Sequence, residues 1–400
     1  MKYIDELLQG EKVEWLPIGS ITNYEQPTNY LVKSTNYHES YATPVLTAGK
    51  TFILGYTNEV NGIYRASKAP VIIFDDFTTA NKWVDFDFKA KSSAMKMITS
   101  QDESKVLLKY IYYWLNTLPN EIVEGDHKRQ WISSFCNKRI PIPCPSKPEK
   151  SLEIQRKIVD ILDKFMTLEA ELEVELDCRK RQYEYYRNQL LSNDVLNGGD
   201  KKVKDVALIP LGNIGEVCMC KRILKQQTSE KGDVPFYKIG TFGKVPNSFI
   251  SKELFNKYKE KYNYPVTGEV LISASGTIGR AVIYDGKEAY FQDSNIVWIK
   301  NDESQVLNKY LYYYYQIAKW NVAEGGTIQR LYNDNLRKTL IPIPYPSDRQ
   351  KSLAEQQRIV SILDKFDTLV NSISEGLPKE IELRRKQYEY YREQLLSFRH

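Results

Sequence analysis

Four short loops carry residue types that could bind a nucleic acid. Two lie in the first half of the chain, Lys89 to Lys96 (KAKSSAMK) and Gly125 to Gln130 (GDHKRQ). Two lie in the second half, Ser273 to Arg280 (SASGTIGR) and Gly325 to Tyr332 (GGTIQRLY). Small residues allow close approach, amides and arginines can bond base edges, and lysines can pair with phosphates. A glycine-serine turn alone is more often only a turn, but the loops gain weight because they recur at comparable places in both halves.

These loops supply the candidate DNA-binding side chains. In the first half they are Ser92, Ser93, Lys96, Lys128 and Arg129. In the second half they are Ser275, Arg280, Thr327, Gln329, Arg330 and Tyr332. Arginine and glutamine can bond base edges in the major groove, so Arg280, Gln329 and Arg330 are the candidates for base contacts in the second half.

The chain lacks the motifs that would let it modify DNA itself. It contains no [DN]PP[YFW] run for amino-group methylation, no GxGxxG, no GxxxxGK[ST] and no GxSxG sequence. The acidic pair Asp75-Asp76 could suggest a metal-dependent nuclease, but a strand end or turn suits its context better. Cys218-Met-Cys220 could touch a metal, although no histidine ligand is near it in the sequence. The pattern indicates a reader without catalytic parts.

Bulk composition sets the broad class. Four hundred residues with 42% hydrophobic content suit two compact domains, each with its own core. The 56 basic and 51 acidic residues nearly balance, so the charge permits a nucleic-acid surface without demanding one. No segment resembles a signal peptide or approaches the roughly 18 apolar residues of a membrane span. Five cysteines without a CxxC pair fit a reducing compartment, and the expected location is the cytoplasm.

The sequence contains an internal duplication, and its repeated segments are the elements expected to position these loops. IPIPCPS at Ile140 returns as IPIPYPS at Ile341, an offset of 201 residues. RKRQYEYYRNQLLS at Arg179 returns as RRKQYEYYREQLLS at Arg384, an offset of 205. The four extra residues lie near Gly376 and correspond to about one helical turn. The loops lie in the dissimilar regions, so the chain alternates variable and constant segments, as expected for duplication of a whole domain.

Each constant segment predicts a long helix. Ser146 with Glu149, and Ser347 with Gln350, match the capping box that starts a helix. Apolar residues then recur at spacings of three and four, which is the pattern of a coiled-coil seam. That seam includes Leu168 in the first copy and Ile373 in the second, and Gly376 with Pro378 predicts a bend in the second helix. Two matching stripes in one chain would pack against each other in antiparallel orientation.

The repeated QYEYYR blocks offer candidate partner-binding residues. These are Tyr183, Tyr186, Arg187, Tyr388, Tyr391 and Arg392. The tyrosines could equally be long core side chains at helical spacing, and the arginines a solvated face. Both interpretations stay open on the sequence alone.

Taken together, the alternating segments, the IPIP entries, the LDKF cores at Leu162 and Leu363 and the two QYEYYR blocks resemble the specificity subunits of type I restriction-modification systems. The resemblance covers essentially the whole chain. It implies an α+β fold with two globular target-recognition domains, separated by two long antiparallel helices in a pseudo-twofold arrangement. The corresponding boundaries are 1–146 and 193–346 for the domains, and 147–192 and 347–400 for the helices.

The same resemblance implies a function and a set of partners. Each domain would read one half of a bipartite, asymmetric double-stranded DNA site, while the helices set the gap and dock two methylation subunits. Those subunits would bind S-adenosylmethionine and methylate adenine, and restriction subunits using ATP and magnesium would join them. This chain would hold no cofactor. A non-catalytic scaffold that binds peptides through duplicated domains is the alternative, and a standalone nuclease is a more remote one.

Overall fold

The computed structural model describes residues 3–49, 51–119, 130–192, 205–322 and 329–398. The chain divides into two compact units. Unit 1 comprises Met1–Glu173 and Glu380–His400, and unit 2 comprises Val174–Lys379. Each unit therefore contains one variable region and portions of both constant segments, which differs from a simple division at the midpoint of the chain.

Helices are concentrated in the constant segments. They are α1 (Tyr3–Leu8), α2 (Leu108–Leu115), α3 (Gln130–Ser133), α4 (Pro148–Leu191), α5 (Lys252–Lys261), α6 (Asn308–Tyr315), α7 (Asn333–Lys338), α8 (Arg349–Asn371) and α9 (Leu377–Leu396). Within the described ranges, no helix combines the length and the apolar composition that crossing a membrane requires.

Strands are concentrated in the variable regions and also form the repeated IPIP segments. In unit 1 they are β1 (Val13–Pro17), β2 (Thr22–Glu25), β3 (Thr43–Leu46), β4 (Ile53–Thr57), β5 (Val71–Asp75), β6 (Asn81–Val84), β7 (Lys89–Ala90), β8 (Met95–Ser100) and β9 (Arg139–Pro143). In unit 2 they are β10 (Val206–Pro210), β11 (Val217–Cys218), β12 (Val234–Tyr237), β13 (Phe249–Ile250), β14 (Val270–Ser273), β15 (Ala281–Ile283), β16 (Tyr290–Phe291), β17 (Ile296–Ile299) and β18 (Leu340–Pro344).

The two units use the same sheet plan. Unit 1 has a four-stranded antiparallel sheet in the order β2-β8-β5-β6, and unit 2 has one in the order β11-β17-β14-β15. A three-stranded sheet accompanies each, β4-β3-β7 and β13-β12-β16. The expected α+β fold is confirmed. The central strands β5 and β14 are buried along their whole length, which explains their uninterrupted apolar sequence.

The IPIP segments are strands rather than helix leaders. β9 pairs with β1 and places Pro141 opposite Trp15, while β18 pairs with β10 and places Pro342 opposite Leu208. The hydroxyl of Tyr110 donates to the Pro141 carbonyl at 2.7 Å, and that of Tyr310 donates to the Pro342 carbonyl at 2.8 Å. The same contact in both copies joins the tyrosine-rich helix of each unit to its two-stranded ribbon.

In each unit, a buried glutamine on the constant helix binds the loop that precedes the tyrosine-rich helix. Gln155 accepts the Leu107 backbone N–H at 2.9 Å and donates to the Lys105 carbonyl at 3.0 Å. Gln356 makes the corresponding contacts with Leu307 and Gln305 at 2.9 and 3.0 Å. Both glutamines are fully buried. Each amide thus satisfies one donor and one acceptor of a partly buried loop while its own polar atoms are buried.

These contacts predict that Gln356→Leu lowers the free energy of unfolding of unit 2 by about 1–3 kcal/mol. The leucine would remove the hydrogen bonds to a partly buried N–H and a partly buried carbonyl, and each such bond contributes about 0.5–1.5 kcal/mol. Gln357→Leu is the matched control, because Gln357 is the next residue on the same helix and is exposed. Denaturant unfolding followed by hydrogen exchange in α6 and α8 would measure the difference. Equal effects of the two substitutions would contradict the assignment.

The predicted capping boxes are wrong in detail. α4 begins at Pro148, two residues after Ser146, and proline is favoured at the first helical position. α8 has Asp348 rather than Ser347 as its N-cap, and the Asp348 carboxylate accepts the Lys351 N–H at 3.0 Å. The cap therefore falls one residue later, on a side chain that also carries the negative charge favoured at a helix N-terminus.

The second constant helix is broken rather than bent. α8 ends at Asn371 and α9 begins at Leu377. Gly376 has a φ of +89°, and a Cβ there would meet the Thr368 carbonyl oxygen, so glycine suits this position. The four extra residues of the second copy are taken up largely in this connection, and they do not add a turn to a continuous helix.

Both units contain a pair of helices with stacked aromatic rings. In unit 1, Phe165 of α4 stacks on Tyr391 of α9 at 5.1 Å, and Arg385 bonds Glu169 at 2.6 Å. Because rising numbers on α4 meet falling numbers on α9, the two helices are antiparallel here. In unit 2, Tyr183 and Tyr186 stack on Phe366 of α8 at 6.3 and 5.5 Å.

The predicted seam is only partly correct. Ile158 and Leu162 are fully buried in unit 1, and Ile359 and Leu363 are fully buried in unit 2. Two other predicted core positions lie outside the cores. The side chain of Leu168 is 44% exposed, and that of Ile373 is 83% exposed because it lies in the break between α8 and α9.

Candidate nucleic-acid interface

In unit 2, two backbone hydrogen bonds hold together the segments at one end of the four-stranded sheet, called here the polar end, where Ala274, Asn295 and Leu331 lie. The Ala274 N–H, just beyond β14, donates to the Asn295 carbonyl at 2.8 Å. The Leu331 N–H donates to the Ala274 carbonyl at the same distance. The end of β14, the residue before β17 and the Arg330 segment are therefore held side by side, and Ser275 and Arg330 form a β-bridge.

A cleft of about 420 Å³ opens beside these bonds. Its basic side chains are Arg222, Lys225, Lys238 and Arg330, and Gln292, Asp293, Ser294 and Asn295 supply most of the other polar groups. A positive cleft of this kind would attract a polyanion.

Asn295 is the best-connected residue of the cleft. Its Oδ1 accepts a hydrogen bond from Ser275 Oγ at 2.8 Å and another from Arg330 Nη2 at 3.2 Å. Ser294 next to it has a φ of +59°, a conformation that costs a residue with a side chain about 1 kcal/mol or more. Backbone strain of this kind is common where side chains must be held in an unusual direction.

Arg222 closes one side of the cleft through Asp293. Its Nε donates to the carboxylate at 2.8 Å, while 68% of the arginine side chain is exposed. An ion pair so exposed contributes little to stability, about 0–1 kcal/mol. Little stability would therefore be lost if the guanidinium exchanged part of this contact for a contact with another anion.

Unit 1 builds the same framework with different side chains. The Asp76 N–H donates to the Ala94 carbonyl at 3.1 Å, and the Gln130 N–H donates to the Asp76 carbonyl at 2.8 Å. Asp76, Ala94 and Gln130 thus occupy the positions that Ala274, Asn295 and Leu331 hold in unit 2. Both units therefore present a similar polar end, built from unlike residues.

The sequence matches one family model in both of these regions. The description of that model is the type I restriction modification DNA specificity domain, and it matches residues 10–177 and again residues 203–383. The chain belongs to the type I restriction specificity subunits. The resemblance drawn from the repeated motifs is confirmed.

Relatives of this specificity subunit match it over most of its length. The specificity subunit of the type I restriction enzyme EcoR124I/EcoR124II from Escherichia coli is 50% identical, covering 100% of this chain and 97% of that protein. The EcoprrI specificity subunit of Escherichia coli is 41% identical, covering 94% and 92%.

Solved structures agree in fold. The S subunit of a type I restriction-modification system from M. genitalium matches with a TM-score of 0.56 and 14% identity, covering 98% of each chain. A chain from a structural study of complex assembly and conformational transition of the type I R-M system matches with a TM-score of 0.58 and 15% identity, covering 96% of this chain and 97% of that one.

The specificity subunit exposes several of the residues predicted to bind DNA. Ser92, Ser93, Gln329, Arg330 and Tyr332 are exposed. Ser275 is buried, and its hydroxyl is committed to Asn295. Arg280 is half-buried, and its Nη1 donates to the Phe242 carbonyl at 3.1 Å. Ser275 and Arg280 are thus placed to support the loops. Lys128, Arg129 and Thr327 lie outside the described residues.

Lys96 requires a correction. The side chain is fully buried, and its Nζ lies 3.5 Å from Asp76 Oδ2 and 5.4 Å from the centre of the Tyr24 ring. The other oxygen of Asp76 accepts the Trp131 N–H at 2.9 Å. Lys96 therefore neutralises a buried carboxylate that anchors α3, and it does not reach the surface to meet a phosphate.

The other acidic and sulfur candidates have structural roles. Asp75 closes a turn, accepting the Phe77 N–H at 3.0 Å and the Thr78 hydroxyl at 2.6 Å, as its position at a strand end predicts. Cys218 and Cys220 are buried, and burial raises the pKa of Cys220 to about 12, which keeps the thiol protonated. Among the described residues, no three histidine, cysteine, aspartate or glutamate side chains form a group that could hold a metal ion.

The candidate partner-binding residues divide into buried and exposed sets. Tyr183 and Tyr388 are buried, in agreement with the core interpretation, and burial raises the pKa of each to about 12. Arg187 and Arg392 lie over these rings at 5.1 and 5.4 Å.

Four tyrosines of the repeated blocks are exposed, and two of them, Tyr185 and Tyr390, were not among the predicted partner-binding residues. Tyr186 and Tyr391 are exposed over part of their surface, although each also stacks on a phenylalanine. Tyr185 and Tyr390 are more exposed than either. The sequence signal for Tyr185 and Tyr390 was their position directly before Tyr186 and Tyr391, which places them outside the apolar stripe of the helix.

Four further cleft residues were not among the predicted DNA-binding residues: Arg222, Lys225, Lys238 and Asn295. The three cations are separated along the chain, and only the fold brings them to one cleft. Asn295 could have been found, since it stands directly before β17 as Ala94 stands directly before β8. Aligning the two copies strand by strand exposes this difference.

Proposed function

We propose that this specificity subunit reads a bipartite, asymmetric double-stranded DNA sequence, with one half-site bound by each unit. The observation that carries the proposal is the shared framework with unlike side chains, at Asp76 and Ala94 in unit 1 and at Ala274 and Asn295 in unit 2. The shared backbone framework would hold the neighbouring exposed loop residues in the same way in both units, while the unlike side chains of those loops would select different bases. The family match to both regions supports the same assignment.

The exposed loop residues provide the proposed contacts. Ser92 and Ser93 of unit 1, and Gln329, Arg330 and Tyr332 of unit 2, face solvent near the polar ends of the sheets. Lys128, Arg129 and Thr327 are proposed with them on the sequence pattern alone. Phosphate contacts would supply most of the affinity and base contacts the discrimination, so binding should weaken steeply with added salt.

The chemistry in this proposal belongs to partner subunits. Two methylation subunits would supply S-adenosylmethionine and transfer its methyl group to adenine, and restriction subunits would use ATP and magnesium. Tyr186, Tyr391 and the more exposed Tyr185 and Tyr390 are the proposed docking residues on the constant helices. The chain itself would be non-catalytic and would act in the cytoplasm, where the genome is found. The family match does not favour a peptide-binding scaffold.

Deleting the gene is predicted to abolish adenine methylation at one bipartite motif in the host genome. Mapping methylated adenines with and without the gene measures this directly, and a plasmid-borne copy should restore the same motif. Methylation at unrelated motifs serves as the internal control. A methylome that loses no bipartite motif would refute the proposed function.

A further inference from the structure

The cleft of unit 2 is lined by hydrogen-bond donors, and two amides establish this. Gln292 Oε1 accepts the Ile239 N–H at 3.0 Å, so the amide oxygen is used inside the protein. Asn295 Oδ1 accepts from both Ser275 Oγ and Arg330 Nη2, as described above. Each amide therefore has its NH₂ group left to offer a ligand.

The charged side chains of the cleft reinforce this polarity. Arg222, Lys225, Lys238 and Arg330 can only donate. The carboxylate of Asp293, the one acidic side chain among the described residues of the lining, accepts through Oδ2 from Arg222 Nε at 2.8 Å and lies 3.4 Å from Ser294 Oγ. Most of the charged and amide groups of the lining therefore donate, so the cleft favours a ligand that presents acceptors.

This polarity separates the bases. In the major groove guanine presents two adjacent acceptors, N7 and O6, whereas adenine presents one acceptor and one donor. Asparagine and glutamine usually read adenine by using the amide oxygen and nitrogen together. Here Asn295 Oδ1 already accepts two hydrogen bonds and Gln292 Oε1 accepts a backbone N–H, so the oxygen that would accept from the adenine amino group is committed inside the protein at Asn295 and partly used at Gln292. Cytosine presents a donor, which suits a cleft lined mostly by donors less well than guanine does.

We propose that this cleft binds the N7 and O6 edge of a guanine in the second half-site, with Arg330 as the direct contact. Asn295 acts as a positioning residue, because its oxygen fixes one Nη of the guanidinium while the NH₂ of its amide adds a donor. This inference rests on the proposed function. A backbone phosphate offers the same acceptor chemistry, so the experiment must separate the two sources.

The test uses the full-length chain in complex with its methylation subunits and a DNA library randomised in the second half-site. Asn295→Asp and Gln292→Glu are nearly isosteric and keep the internal acceptor while replacing the NH₂ donor by an oxygen. Arg330→Ala removes the direct contact. Methylation should retain its preference in the first half-site and lose about tenfold or more of its preference for guanine at one position of the second. Asn256→Asp, an equal charge change at an exposed site on α5 outside the cleft lining, is the control.

Modified DNA then identifies the acceptor. Replacing that guanine by 7-deazaguanine removes N7 and should weaken methylation by the wild-type complex far more than by the Arg330→Ala complex. A uniform loss over all sequences, reproduced by a neutral methylphosphonate in the backbone, would assign the cleft to a phosphate and overturn the proposal. Unchanged guanine preference in all three variants would also overturn it, while leaving the proposed function intact. Failure of the wild-type complex to select any bipartite motif would instead refute the proposed function.

Discussion

Lys96→Met is expected to lower the free energy of unfolding of unit 1 by about 3–5 kcal/mol. The substitution removes the cation beside Asp76, whose carboxylate is almost completely buried. Removing one member of a buried ion pair is costly because the remaining charge loses its compensation without regaining water. Hydrogen exchange in β5 and β8 should report the loss, since both strands flank this pair.

Two further variants test the reason for that loss. In the double variant Asp76→Asn with Lys96→Met, the introduced amide would keep an oxygen for the Trp131 N–H, and no charge would be left buried. We expect this pair to recover a large part of the lost stability. Lys82→Met, at an exposed position on β6, should change stability by no more than about 0.5 kcal/mol. A stable Lys96→Met protein with weakened, salt-dependent DNA binding would instead favour a direct phosphate contact.

Lys96 also shows where sequence reasoning loses information. A lysine in a serine-rich loop usually faces solvent, and alternation of polar and apolar residues normally marks the exposed face of a strand. β8 is buried on both faces from Met95 to Ile98, so alternation carries no signal there. The available signal was the flanking Met95 and Met97 together with the acidic pair at the end of β5, but pairing Lys96 with Asp76 requires the sheet order.

The repeated blocks were more informative because they constrain each other. The matching contacts of Gln155 and Gln356, and of Tyr110 and Tyr310, lie in segments whose sequences recur at offsets of 201 and 200 residues. Gly376 and Pro378 predicted the place of the irregularity but only a bend, whereas the helix breaks there; glycine accommodates the left-handed backbone, and proline lacks a helical donor. The cleft residues could not be predicted in this way, because they lie in the segments that the two copies do not share.

The two QYEYYR blocks are assigned to the units in a way that the repeat alone does not show. The sequence places QYEYYR of the first copy after the first domain, yet Tyr183 and Leu191 belong to the core of unit 2. The second copy follows the second domain, yet Tyr388 and Leu396 belong to the core of unit 1. The core of unit 1 thus contains the block at the far end of the chain, and the core of unit 2 contains the block that precedes its strands.

That division predicts a crossed pattern of destabilisation. Leu396→Ala should destabilise unit 1, and Leu191→Ala should destabilise unit 2, each by about 2–5 kcal/mol, because both leucines are buried and alanine would leave a cavity. The two residues occupy the same place in the repeated QLLS sequence, so they form a matched pair. Leu168→Ala is the control, since its partly exposed side chain belongs to neither core.

Hydrogen exchange resolved by peptide separates the outcomes. Faster exchange in β5 with Leu396→Ala, and in β14 with Leu191→Ala, would establish the crossed dependence. The reverse pattern would mean that each constant block supports the domain that precedes it in the chain. A crossed result has a consequence for recognition, because a lesion in the last 20 residues would then impair reading of the half-site bound by the first domain.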